Sequence, residues 1–122
     1  FSFIFLPVKY AVILNYTCIT GIIKEKYSMI ISFKDKDTEK IYHQLFTKRF
    51  SLSIQRLALR KLILLDNAVS INDLRWPPGN RLELLKGDRI EQYSLRINNQ
   101  YRICFQVKDI NCFYNVEIVD YH

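Results

Sequence analysis

The spacing of apolar residues changes period once, and the change falls on a segment that no helix can cross. Between Ile41 and Leu65 apolar side chains recur every three or four residues; beyond Trp76-Pro77-Pro78-Gly79-Asn80 they recur every second residue. Two consecutive prolines remove two amide donors and fix φ, so the segment reads as a turn. Helical spacing first and strand spacing afterwards segregates the two kinds of element. That order excludes an alternating βαβ chain and predicts an α+β domain.

Within that frame the elements can be placed. Residues 29–34, Met-Ile-Ile-Ser-Phe-Lys, suit a first strand. Asp35 or Asp37 then caps a helix running through Glu39, Ile41, Tyr42, Leu45 and Phe46. Ser51 or Ser53 starts a second helix, with Ile54, Leu57, Ala58, Leu62 and Leu65 on one stripe. Leu52, Leu59 and Ile63 form another stripe, expected to meet the first helix, with a binding partner as the alternative. Beyond the turn, Leu82, Leu84, Leu95, Ile97, Ile103 and Phe105 alternate with polar residues and are expected to face the helices. Asn98-Asn99 suits a tight hairpin because Asn tolerates positive φ. A turn near Lys108-Asp109 leads to a last strand, Phe113 to Asp120, held by Tyr114, Val116 and Ile118. The expected architecture is an N-terminal strand and two helices packed on one face of a mostly antiparallel sheet.

The first 28 residues differ in character. From Phe1 to Ile23 the only charge is Lys9, which invites a membrane-span reading. Pro7, Lys9 and Asn15 interrupt the run, and no basic region precedes it as a signal would require. Met29, the sole methionine, stands where globular patterning begins, and Lys24-Glu25 can be encoded as the purine-rich AAG-GAG of a ribosome-binding sequence. Residues 1–28 are therefore expected to be translated leader and 29–122 the domain; a genuine apolar extension and a membrane anchor are the alternatives. A coding sequence without such a purine run at codons 24–25 removes the leader reading.

The 122 residues suffice for one domain with a real core. Eighteen Lys and Arg against twelve Asp and Glu leave a net charge of +6, which favours a polyanionic partner, nucleic acid before membrane. Cys18, Cys104 and Cys112 are odd in number and lack paired metal-ligand spacing. They read as free thiols of a reducing, cytoplasmic compartment, with no metal site and no cofactor.

Alternation also sorts the charged residues. Glu83, Arg96 and Arg102 are expected to share the sheet face opposite the helices, with Lys86 and Arg89 near its edge. A wet, charged face is ordinary for an antiparallel sheet, yet several cations beside a few carboxylates also make a cradle for phosphates. Asp120-Tyr121-His122 places three proton-transfer-capable groups at the chain end, where the bland reading is an exposed terminal histidine. His43, on the first helix, reads as surface.

Leu85-Lys86-Gly87-Asp88-Arg89, Tyr101-Arg102-Ile103-Cys104-Phe105 and Val116-Glu117-Ile118-Val119-Asp120-Tyr121-His122, in this order and at these intervals, resemble the HigB toxins. These are the plasmid-maintenance killer proteins of the RelE-like superfamily, and Pro77-Pro78-Gly79-Asn80-Arg81-Leu82-Glu83 fits one branch of them. The resemblance covers 29–122. It implies a ribosome-dependent endoribonuclease that cuts mRNA in the A site without a metal, through attack of the ribose 2′-hydroxyl on the adjacent phosphorus. It also implies neutralisation by a HigA-like helix-turn-helix antitoxin, and no membrane partner. Such chemistry needs a base, an acid and cations for the phosphorane. Arg102 is the first choice for the scissile phosphate, with Lys86, Arg89 and Arg96 along the RNA backbone. Asp120, Tyr121 and His122 carry over as active-site residues: His122 as acid or base, Tyr121 to stack or donate a proton, Asp120 to orient the histidine or receive a proton.

One position departs from the family. Some members carry a histidine in the first meander strand, where this chain has Glu83, expected to be either a base or the partner that positions Arg102. The rival function is a non-catalytic module that binds RNA or ribosome without cutting, or only pairs with its antitoxin.

Overall fold

The computed structural model describes residues 29–109 and 111–121, so the apolar segment 1–28, Cys18 and His122 lie outside the described residues. Asp35, in extended conformation, accepts from the Thr38 amide and starts helix α1, Lys36–Tyr42. This helix stops short of the predicted Leu45 and Phe46. Gln44 adopts a left-handed conformation (φ 62°), and the Gln44 and Leu45 amides close the last turn onto Ile41 and Lys40. The chain then swings away, leaving Leu45 and Phe46 57% and 63% exposed.

Helix α2, Leu52–Asp66, begins as expected at Ser51, whose hydroxyl accepts from the Ile54 amide. Gln55, Ala58, Leu62 and Leu65 are buried at helical spacing. The second stripe corrects the expectation: α1 spans only seven residues and cannot cover it, so Leu52 and Ile63 remain exposed.

After 3₁₀ turns at Ile71–Arg75 and Pro78–Asn80 come four strands: β1 Glu83–Leu84, β2 Gln92–Arg96, β3 Tyr101–Lys108 and β4 Cys112–Asp120. They pair antiparallel in the order β1-β2-β3-β4. The predicted first strand meets β4 through two isolated parallel bridges, Ile30 to Phe113 and Phe33 to Val116, in place of a continuous ladder. The Asp66 carboxylate anchors this segment, accepting from the Met29 and Ile30 amides and from the Tyr42 hydroxyl.

Both helices lie against one sheet face, where Leu62, Leu65, Leu95, Ile103, Phe105 and Phe113 are fully buried. Leu84 was expected there but is 59% exposed, because the two-residue β1 is an edge strand beyond the helices. In β4 a bulge adds one residue opposite Phe105, with Asn115 at φ 53°. It turns both Phe113 and Val116 inward, while Tyr114, predicted among the residues holding the strand, stays half-exposed. The hairpin after β2 also forms differently: neither Asn has positive φ. Instead the Asn98 side-chain oxygen accepts from the Gln100 and Tyr101 amides and holds the turn. Cys104 and Cys112 are free and buried. Among the described residues, no helix is long and apolar enough to cross a membrane.

Candidate active site on the uncovered sheet face

The ladder register builds the second face residue by residue. Glu83 stands opposite Ser94, Ser94 opposite Cys104, and Cys104 opposite Glu117; Arg96 stands opposite Arg102, and Arg102 opposite Val119. Paired residues share a face, so one surface carries Glu83, Ser94, Arg96, Arg102 and Glu117. A small apolar patch of Leu85, Cys104 and Val119 floors it.

Arg102 is its fixed point. The residue is only 8% exposed. Its Nε donates to Ser94 Oγ at 2.8 Å, and Nη2 donates to the Arg81 carbonyl. Glu83 reaches ion-pair range of the same Nη2 at 4.0 Å while keeping half its side chain in solvent. Tyr121 covers the guanidinium, with its ring centroid 5.5 Å from Cζ. The Tyr121 amide donates to the Gln100 carbonyl at 2.7 Å, tying the end of the described chain to the β2–β3 hairpin. Among the described residues, two of the five N–H donors of this guanidinium are engaged by hydrogen bonds.

The other predicted cations fall into two groups. Arg89 ends the 3₁₀ turn Gly87–Arg89 and donates to both Gln92 and Glu117 at 3.1 Å. That bond to Glu117 raises its pKa further above its ordinary value. Lys34 reaches the same Glu117 oxygen at 3.3 Å, so one carboxylate gathers two cations, one from the N-terminal segment and one from the loop before β2. Lys86 precedes the turn and is exposed; Gly87, at φ 68°, is the residue that makes the turn possible. Arg96 leans towards the hairpin and donates to Asn99. Lys61 of α2 donates to the buried Asn80, and burial first, then the charge of Arg96, lowers its pKa.

The structure therefore joins Arg102, Glu83 and Tyr121 directly. Arg89 sits beside them on the same face through Glu117. Asp120 is placed apart: it pairs with Tyr101, whose ring packs on Phe50 of the core, so its side chain lies on the helix side of the sheet, where it accepts from Gln100. His122 lies outside the described residues.

Three contributors escape a reading by residue type. Ser94 looks like one more polar residue in an alternating strand. Arg81 acts through its backbone, whose left-handed conformation (φ 44°, ψ 57°) ends the Pro78–Asn80 turn beside Arg102. Glu117 is an acidic residue in a largely apolar final strand, and nothing local shows that it binds Arg89 and Lys34. Together these groups form a held guanidinium, flanked by an exposed carboxylate, a phenol and further cations. Such an arrangement can bind a phosphate and exchange protons beside it.

The chain is also similar to known proteins. Residues 31–122 match the family described as the RelE-like toxin of the type II toxin-antitoxin system HigB. The chain is 45% identical over 84 residues to Toxin HigB-1 of Vibrio cholerae, an alignment covering 66% of this chain and 86% of that protein. It is also 39% identical over 57 residues to an uncharacterized protein of Haemophilus influenzae, covering 47% and 56% of the two chains. With the match running from Ile31 through β4, the chain belongs to the HigB family of RelE-like toxins, the toxic components of type II toxin-antitoxin systems.

Proposed function

We propose that this toxin is a ribosome-dependent endoribonuclease that cuts mRNA in the ribosomal A site and is neutralised by a HigA-like helix-turn-helix antitoxin. The observation that carries the proposal is the buried Arg102 guanidinium, held by Ser94 and the Arg81 carbonyl and capped by Tyr121 on a cation-bearing face. In the proposed reaction the ribose 2′-oxygen bonds to the adjacent phosphorus and the bond to the 5′-oxygen breaks. The products are a 2′,3′-cyclic phosphate and a free 5′-hydroxyl. Two protons move, one off the attacking hydroxyl and one onto the leaving oxygen. Glu83, solvent-exposed and beside Arg102, suits the first transfer; His122, an active-site residue by family resemblance and a candidate acid or base, suits the second. Arg102 takes the charge that grows on the phosphorane oxygens, where a preorganised donor counts most. Tyr121 stacks on a base, and Lys86, Arg89 and Arg96 follow the RNA backbone. Asp120, on the far face, acts at a distance by orienting the chain end.

The test is cleavage of mRNA on programmed ribosomes, with 5′ ends mapped and 3′ ends checked for cyclic phosphate. Arg102→Ala is expected to lower the cleavage rate by about 10²–10³-fold, as loss of one transition-state donor does. In-frame cuts that persist unchanged in Arg102→Ala and in a chain lacking His122 would overturn the site. Ribosome binding without any cut would make this chain a binding module.

A further inference from the structure

The Arg102 face is polar and cationic, but exposed apolar side chains gather on the helix side of the molecule. There, the loop after α1 and the first half of α2 enclose a groove of about 240 Å³, with Ile41, Leu45, Phe46, Leu52 and Leu59 among its lining residues. Leu45, Phe46 and Leu52 are each more than half exposed, and Ile63 extends the stripe one turn beyond Leu59. From Leu52 to Ile63 the stripe runs about 16 Å along α2, the length of a three-turn helix laid beside it. Scattered exposed apolar residues need no explanation, but a contiguous strip of them marks an interaction surface.

Hydrogen bonds brace the groove from beneath. Gln55, buried at its floor, donates to the Thr47 and Phe50 carbonyls at 2.9 and 2.8 Å and accepts from the Thr47 amide. Those bonds fix the loop carrying Leu45 and Phe46 against α2, so a ligand need not order it. The charge on the strip is of one sign. Arg56 lines the groove and Arg60 is exposed one turn on. The only acidic residue of α2 is Asp66 at its far end, where it already holds the N-terminal segment and Tyr42.

We propose that this groove is the docking surface for the antitoxin, through an amphipathic helix with apolar residues at three- and four-residue spacing and flanking Asp or Glu facing Arg56 and Arg60. That a protein antitoxin exists follows from membership of a type II system. The inference rests on that pairing and is independent of the cleavage chemistry. Apolar side chains in the groove supply affinity, and the arginines select an acidic partner helix over a basic one.

The test measures binding of the full-length toxin to the purified antitoxin encoded beside its gene, by calorimetry. The exposed pair Phe46→Ser and Leu52→Ser together is expected to weaken binding about 100-fold. Arg56→Glu with Arg60→Glu is expected to weaken it about tenfold at low salt, and less at high salt. Arg102→Ala is expected to bind as the parent does. Groove variants that bind within twofold of the parent overturn the proposal, whatever Arg102→Ala does to cleavage. Cleavage unchanged in Arg102→Ala, with binding lost in the groove variants, overturns the catalytic reading and leaves this one standing. A toxin that sediments as a dimer, and is made monomeric by the Phe46 and Leu52 changes with antitoxin binding intact, assigns the groove to a second copy. Amide exchange on the unsubstituted complex guards against misfolded variants: protection across residues 44–63 supports the proposal, and protection confined to the sheet face overturns it.

Discussion

Ser94→Ala isolates the bond that holds Arg102. Ser94 is fully buried, and its Oγ accepts from Arg102 Nε at 2.8 Å. Alanine keeps the strand and its volume but removes the acceptor. The stranded donor belongs to a charged group only 8% exposed, so water does not freely replace the lost partner. Hydrogen bonds to charged groups contribute about 1.5–3 kcal/mol. The Arg81 carbonyl, the Glu83 ion pair and the Tyr121 ring still restrain the guanidinium, which places the expected loss in the lower half, about 2 kcal/mol. In a domain of this size that is a fall of roughly 10 °C in Tm. Urea unfolding of the parent, Ser94→Ala, Arg102→Met and the double variant completes a cycle. In the Arg102→Met background no donor is stranded, so Ser94→Ala should cost little and the coupling should exceed ~1 kcal/mol. Effects that add to within ~0.3 kcal/mol would falsify the claim that Ser94 positions the arginine.

Three further outcomes follow from the same geometry. Burial pushes the Cys104 thiol from 9.0 up to about 11, outweighing the nearby Arg89 and Arg102 charges that pull it down. The folded state therefore resists ionisation that the unfolded chain accepts: this contribution is complete below pH 9 and is lost as pH rises from 9 to 11. Unfolding measured across that window should show a falling slope that Cys104→Ala flattens. Glu117→Gln frees Arg89 and Lys34; because both cations are well solvated, the stability change should stay within ~1 kcal/mol. Ribosome or RNA affinity should rise and its salt dependence steepen by roughly one unit of log–log slope, and an unchanged slope would exclude those cations from the RNA path. Arg81→Gly keeps the carbonyl that Arg102 uses and relieves a left-handed arginine, so urea unfolding should show stability held or raised by ~0.5 kcal/mol; a loss above ~1 kcal/mol would mean that the Arg81 side chain, not its backbone, supports the site.

Residue type and spacing revealed the parts of the fold that depend on them. The switch of period at Trp76–Asn80, the capping Asp35 and Ser51, and the alternation of β2 and β3 are local patterns, and they placed Arg102, Glu83 and Arg96 on one face before any coordinates. What escaped was set by geometry at a distance. The end of α1 depends on Gln44 turning left-handed so that the loop can bond to Gln55, eleven residues away along the chain. Leu84 obeys the alternation and is still exposed, because exposure depends on what lies above the strand. The Asn98 turn uses a side-chain bond where positive φ was equally compatible with the sequence. Asp120 joined the candidate site by resemblance, and strand alternation puts its side chain on the opposite surface from Arg102.

The same alternation shows why Arg102 is hard to explain as a structural residue. A buried guanidinium gives up hydration, and replacing such a charge with an apolar group of similar size is often neutral or stabilising. Arg81 beside it holds a left-handed conformation that costs a non-glycine residue about 1–2 kcal/mol. Two unfavourable features thus converge on one point, and each acts to fix the guanidinium plane: Arg81 aims a carbonyl at Nη2, and burial lets Ser94 and Tyr121 clamp Nε and the π-face. A fold seeking stability alone would place an aliphatic residue opposite Val119 and extend the Leu85, Cys104 and Val119 patch. Holding a cation there makes sense if charge must arrive at that spot from outside. In the proposed reaction an RNA phosphate would bring that charge, and Arg102→Met should then keep the fold and lose the cut.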